Sequence, residues 1–204
     1  MHADPSVDSP VKVSRRFAAA RARTCLTLAA TALFAAATAQ GADYPPGAQL
    51  GPVIENYGPV MAVPEGAFAM QNDRQYKVVK DVSRSSDKPD ELNRNFDAIA
   101  RLLNMQARAG MPEEALEAAI VVHGPAVRDL LDDEEYKARF GIANPNTGLL
   151  DALAGAGVRI YVCAQTAAAR GFATETLNPG VEVALSAMGA HIRLNEEGYR
   201  LIPF

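Results

Sequence analysis

From about residue 76 onward, the apolar positions fall into short units that are alternately strand-like and helix-like. Residues 77–82 predict a weak strand. Leu92, Phe96, Ile99 and Leu103 then recur at i, i+4, i+7 and i+11, the apolar stripe of an amphipathic helix. Asp90 and Glu91 stand near its start and Gly110 just past its end, as the helix dipole and a left-handed C-cap favour. Residues 118–122, Ala-Ala-Ile-Val-Val, form a continuous apolar run, which is how a strand covered on both faces reads. A short helix at 126–131 and an acidic helical stretch at 132–140 follow, before Asn144-Pro145-Asn146 breaks the chain. Asn146 is placed to cap the next helix, whose Leu149, Leu150 and Leu153 face inward until Gly155 and Gly157 stop it. Residues 158–163 predict a third strand, 165–171 a short helix and 181–183 a fourth strand. Leu185, Met188 and Ile192 mark the last helix, and 199–202 a terminal strand. Such alternation implies right-handed crossovers and an α/β fold, a mostly parallel five-stranded sheet with helices on both faces.

Residues 40–72 keep neither period. Tyr44-Pro45-Pro46-Gly47, Tyr57-Gly58-Pro59 and Pro64-Glu65-Gly66 read as an extended arm or linker leading to a domain at 73–204. Its Val53, Ile54, Tyr57, Val60, Met61, Val63 and Phe68 are too apolar for a solvated tether, so part of it is expected to pack on the domain or on a neighbouring subunit. Further upstream, Lys12, Arg15, Arg16, Arg21 and Arg23 precede an alanine-rich apolar run at 25–39 that closes on Ala37-Thr38-Ala39. A basic lead, an apolar stretch and a small-residue cleavage site make a secretory signal peptide. Residues 1–39 are therefore expected to be removed, leaving a periplasmic protein that begins near Gln40. Nothing downstream approaches the roughly 20 consecutive apolar residues of a membrane span, so no membrane attachment is expected after cleavage.

Composition narrows the partners. With 49% hydrophobic and 22% charged residues the chain has ordinary globular make-up, and its net charge of −4 provides no basic face to neutralise phosphates. Nucleic acid is thereby excluded, and small molecules or proteins are expected instead. Of the two cysteines, Cys25 would leave with the signal, so Cys163 is the lone thiol of the mature protein. In an oxidising compartment an unpaired cysteine points to a reactive group or an intermolecular bridge; the alternative is a buried, inert cysteine.

Ligands of a parallel sheet gather beyond the carboxyl ends of its strands. That edge carries His123-Gly124 after the second strand and Cys163-Ala164-Gln165 after the third. Cys163 ends a strand and directly precedes a helix, whose free N–H groups favour thiolate over thiol, so an accessible thiol of lowered pKa is expected. His123 either orients or deprotonates Cys163 or is bonded to a loop. Gln165 either donates to a bound oxyanion or caps backbone, and Arg170, two helical turns on, either attracts an anionic sulfur substrate or complements the helix's C-terminal dipole. His123, His191 and Cys163 show no close ligand spacing, so no metal is expected, nor any other cofactor. The run Asp132-Asp133-Glu134-Glu135 reads as a solvated face.

The segment Val158-Arg159-Ile160-Tyr161-Val162-Cys163-Ala164-Gln165-Thr166-Ala167-Ala168-Ala169-Arg170-Gly171-Phe172 resembles the active-cysteine segment of the DsrE/DsrF-like sulfur-relay family. Val121-Val122-His123-Gly124-Pro125-Ala126 is similar to that family's second strand and glycine turn, and Ser186 through Tyr199 to Phe204 to its closing helix and strand; together the likeness covers about residues 76–204. It implies a three-layer α/β/α sandwich that assembles into homotrimers or homohexamers, with Cys163 carrying a persulfide received from a sulfane-sulfur donor and passed to an acceptor protein or small molecule. The export signal and the Gly/Pro-rich arm depart from the cytoplasmic relay subunits, so the partner does not carry over. Two other functions stand beside this one. One is a non-catalytic small-ligand or protein-binding oligomer on the same scaffold with Cys163 buried. The other is a thiol-redox protein, disfavoured because no second cysteine would resolve a mixed disulfide.

Overall fold

The strand Leu116–Val122 (β2) has the continuous apolar run of a central strand, and Ala118 to Val122 are all 3% exposed or less. A computed structural model describes residues 44–203, and the expected signal peptide at 1–39 lies outside them. On one side β2 pairs with Tyr76–Val82 (β1), on the other with Arg159–Cys163 (β3). Val181–Ala184 (β4) extends the sheet beyond β3, and Arg200–Ile202 (β5) extends it beyond β1. The order is β4-β3-β2-β1-β5 and every pairing is parallel, so the mostly parallel sheet expected from the alternation is parallel throughout.

Handedness explains the layers. The chain steps from β1 to β2 through Arg94–Arg108 (α1), to β3 through Asp133–Phe140 (α2) and Thr147–Gly155 (α3), and to β4 through Ala164–Ala169 (α4). All these steps run the same way along the sheet, and right-handed crossovers then place their helices on one face. There Phe96, Ile99, Leu103, Tyr136, Leu149, Leu150, Leu153 and Ala167 join one core. The last step, through Ala187–Glu196 (α5), returns to the far edge, so the same rule puts α5 on the opposite face. Its core is small: Val79, Ala119, Val121, Leu194 and Tyr199.

The short helix expected at 126–131 is a 3-10 helix, Gly124–Leu130. One local expectation is corrected. Asn146 does not cap α3 with its side chain; that side chain accepts the Asn93 N–H at 2.7 Å and ties the start of α3 to the start of α1. Asn93 is the residue that caps α1, accepting from the Asn95 N–H at 2.9 Å.

The first half of the arm belongs to the fold. Ile54 is 2% exposed within the main core. Asn104 of α1 accepts the Ile54 N–H at 2.8 Å and donates to the carbonyls of Ile54, Tyr57 and Gly58. Asp97 accepts the Gly58 N–H at 2.7 Å, and Arg108 donates to the Gly51 carbonyl at 2.8 Å. Gly58 has φ +67, and a Cβ there would lie 2.3 Å from the Ala100 carbonyl carbon, so only glycine lets the arm lie this close to α1.

Candidate functional site

The reversal of winding that isolates α5 also creates the site. At the carboxyl ends of neighbouring strands, β3 turns into α4 on the main-core face while β4 turns into α5 on the other, and the parting connections leave a crevice of the kind where α/β sheets bind ligands. Cys163, the last residue of β3, pairs in register with Ala184, the last of β4, and so stands at this divide. Because Val162 enters the main core, the pleat sends Cys163 with Tyr161 toward α5. Two helix starts therefore flank one sulfur: that of α4, whose N-cap residue is Cys163, and that of α5, capped by Ser186, whose hydroxyl accepts the Gly189 N–H at 3.0 Å.

The electrostatics follow from this placement. Burial pushes the Cys163 thiol up, but the Thr166 hydroxyl and the N–H groups of Thr166, Ala187 and Gln165 outweigh it and hold the thiol below its ordinary value. The sulfur closes no capping hydrogen bond within α4, so these groups act as oriented dipoles at sulfur range. The expected access is corrected. Cys163 is 6% exposed, because α5 crosses over the end of β3 from the face the strand leaves open.

His123 leaves β2 in extended backbone (φ −149), its N–H bonded to the Val82 carbonyl at 3.0 Å. The tight turn after it needs Gly124 at φ +58, where a Cβ would meet the Ser83 carbonyl oxygen at 2.9 Å. Its imidazole Nε2 lies 3.0 Å and 3.1 Å from the two Asp81 oxygens, and Nε2 of His191 on α5 lies 2.8 Å from Asp81 Oδ1. Asp81 is thus a carboxylate bridged by two imidazoles. Partial burial raises its carboxyl, but the bonds and charges of His123 and His191 prevail and hold it below its ordinary value. Among the described residues no hydrogen bond joins His123 to Cys163; of the two readings open for His123, neither the thiol nor a loop takes its imidazole, which pairs with Asp81 of β1.

The remaining candidates separate. Gln165 faces the thiol with its backbone N–H, while its side chain is exposed. Arg170 is the exposed C-cap residue of α4, about 10 Å along the helix axis from Cys163, at the end remote from the thiol. Among the described residues no cluster of three or more His, Cys, Asp or Glu side chains is arranged to hold a metal ion. Sequence reasoning missed Thr166, Asp81 and the Ala187 N–H. Thr166 stands third after Cys163, in the first turn of the helix, which is a legible signal; Ala187 is brought in only by the long return of α5, and Asp81 by the pairing of β1 beside β2.

The family model for the DsrE/DsrF-like family matches residues 77–204. The chain belongs to the DsrE/DsrF-like family. The match begins within β1 and includes both helix starts that flank Cys163, while the arm at 44–60 precedes it. Two solved structures are similar to this DsrE/DsrF-like chain. One is a protein of unknown function, MTH1491 from Methanobacterium thermoautotrophicum, at 24% identity over 63% of this chain and 98% of that one, with a TM-score of 0.45. The other is the ychN protein from E. coli, at 15% identity over 63% of this chain and 100% of that one, with a TM-score of 0.44. No curated protein matches. Membership rests on the family match alone and suggests sulfur relay as the general role.

Proposed function

We propose that the protein is a periplasmic sulfur carrier that holds a persulfide on Cys163. The observation that carries this reading is the convergence of two helix starts and the Thr166 hydroxyl on one thiol, which favours its thiolate, the nucleophilic form. In the proposed cycle the Cys163 thiolate attacks the outer sulfur of a donor R–S–S⁻. A Cys–S bond to that sulfur forms, the donor's S–S bond breaks, and R–S⁻ leaves with its electron pair. Attack by an acceptor thiolate on the outer sulfur of Cys163–S–S⁻ then returns the Cys163 thiolate. Neither step needs an external oxidant or reductant. Since Cys163 is nearly covered, donor access depends on movement at the crevice between α4 and α5. The export signal expected in residues 1–39 supports the compartment, and the family supports assembly as a homotrimer or homohexamer.

One observation favours a second reading. Cys163 at 6% exposure fits an inert structural cysteine on a non-catalytic binding oligomer. A cavity of about 850 Å³, walled by Met61, Phe68 and Met70 of the arm and by Met105 of α1, is available for an apolar ligand in that case. Intact mass after incubation with inorganic polysulfide separates the two. A gain of sulfur that is lost on reduction and absent in Cys163→Ser supports the carrier. A native protein that takes up no sulfur, while its unfolded form does, rejects it.

A further inference from the structure

α5 is poorly anchored by packing. Leu194 is its one buried residue, Ala187 and Ala190 touch the sheet with single methyl groups, and Met188 and Ile192 point away at 76% and 63% exposure. Small side chains on a sheet leave a helix free to slide, because no interdigitating side chain fixes its position along its axis. The directional contacts are polar: Arg159 of β3 donates to Glu197 Oε2 at the C-terminal end of α5 at 2.7 Å, and nearer its start His191 Nε2 lies 2.8 Å from Asp81 Oδ1. Asp81 is itself fixed from β2, where His123 reaches it from a strand end already bonded to β1. His191 lies four residues after Ala187, on the same face of α5 and one turn from the N–H that faces Cys163.

We infer that Asp81 and His191 are positioning residues for the thiol: their hydrogen bond latches α5 across the sheet so that its first N–H, that of Ala187, is held against Cys163. The inference rests on the reading of Cys163 as the reactive group. Facing Asp81 are His123, His191 and the adjoining Lys80; facing Cys163 are the neutral donors of Gln165, Thr166 and Ala187, with His123 beside it at the next register position after β2. The sign of one substitution then distinguishes a latch from a mere charge. If Asp81 acted only through space, removing its negative charge would favour the thiolate and lower the Cys163 midpoint. If it latches α5, removing it withdraws an N–H dipole and raises the midpoint.

Thiolate ultraviolet absorbance, titrated on the full chain with the Cys163→Ser signal subtracted, reads that midpoint without requiring reagent access. In Asp81→Ala and His191→Ala the midpoint is expected to rise by roughly half to one pH unit, about three- to tenfold less thiolate at neutral pH. His191→Gln, whose amide nitrogen replaces Nε2, should stay near the wild type. A midpoint that falls or stays put in an Asp81→Ala protein of unchanged circular dichroism overturns the latch. Should that variant not fold, His191→Ala decides by the same criterion. Polysulfide loading measured on the same samples keeps the two ideas apart. A low wild-type midpoint that rises in the variants, with no sulfur taken up, removes the carrier and keeps the latch; normal loading with unmoved midpoints does the reverse.

Discussion

At Cys163 burial and oriented donors act on the same sulfur in opposite senses, and the donors prevail. The native thiol is therefore expected to titrate below a free cysteine. Thr166→Val keeps the shape of the side chain and deletes the hydroxyl, so it should raise the midpoint by on the order of one unit while leaving α4 in place. A midpoint unmoved by this change would assign the shift to backbone alone. Linkage gives an independent check. A thiol whose folded pKa is depressed contributes stability that is present above the unfolded pKa and lost as pH falls through the folded one. Relative to Cys163→Ser, the wild type should thus gain unfolding free energy as pH rises across that window, as measured by urea denaturation. What the sequence made legible here was the strand-end, helix-start position of Cys163 and the order of residues after it. The His123–Asp81 pairing was not legible, because Asp81 lies on β1 at a separation of 42 residues. A lone acid in a weak strand gives no sign of which imidazoles it will meet.

α1 shows how an element can be read correctly and still be half understood. Its apolar stripe, Phe96, Ile99 and Leu103, packs as the period required. A second stripe runs beside it: Asp97, Arg101, Asn104 and Arg108, also at i, i+4, i+7 and i+11, is the face on which the arm lies. Polar residues at helical spacing ordinarily mark a solvated face, so nothing in the stripe signalled that the part of 40–72 expected to pack would lie on α1, with Ile54 in the core. Backbone of a Gly/Pro-rich segment has unpaired N–H and C=O groups, and a polar stripe satisfies them where an apolar one cannot. Asn104, fully buried, serves four of these groups at once. Asn104→Ala would strand them, at a cost of about 1–3 kcal/mol in urea-unfolding free energy, and should open 44–60 to proteolysis. Unchanged stability together with an uncut arm would show that the arm is held by apolar contact alone. The strands of the sheet and their parallel sense, by contrast, were legible, since runs such as Ala118 to Val122 have no other place to go.

The three layers of the molecule are unequal, and the imbalance bears on assembly. Among the described residues four α-helices cover one face of the sheet and α5 alone covers the other. The spacing of Leu185, Met188 and Ile192 predicts this last helix, whose observed range leaves Leu185 just before its Ser186 cap. Those side chains are 81%, 76% and 63% exposed, and the residues α5 turns inward are small. Val183 of β4 and Leu201 of β5, at 52% and 56%, leave apolar surface exposed on both edge strands as well. Monomeric proteins rarely leave so many large apolar side chains open without a partner, and a helix whose apolar stripe faces out is suited to packing against its own copies. We therefore place the proposed homo-oligomer contact on the outward face of α5. Leu185→Glu combined with Met188→Glu puts two charges into that contact without touching the buried Leu194, so the fold should survive and the assembly should not. Light scattering over a micromolar dilution series is expected to show several subunits for the wild type and one for the double variant. A wild type that is monomeric throughout, or a double variant that assembles as before, would remove α5 from the interface. The same helix roofs Cys163, so the thiolate titration of the dissociated variant has its own expected result. An unchanged midpoint would show that the intrachain latch suffices to hold Ala187 in place. A raised one would show that neighbouring subunits press α5 onto the thiol, and that the reactive sulfur is completed only in the assembly.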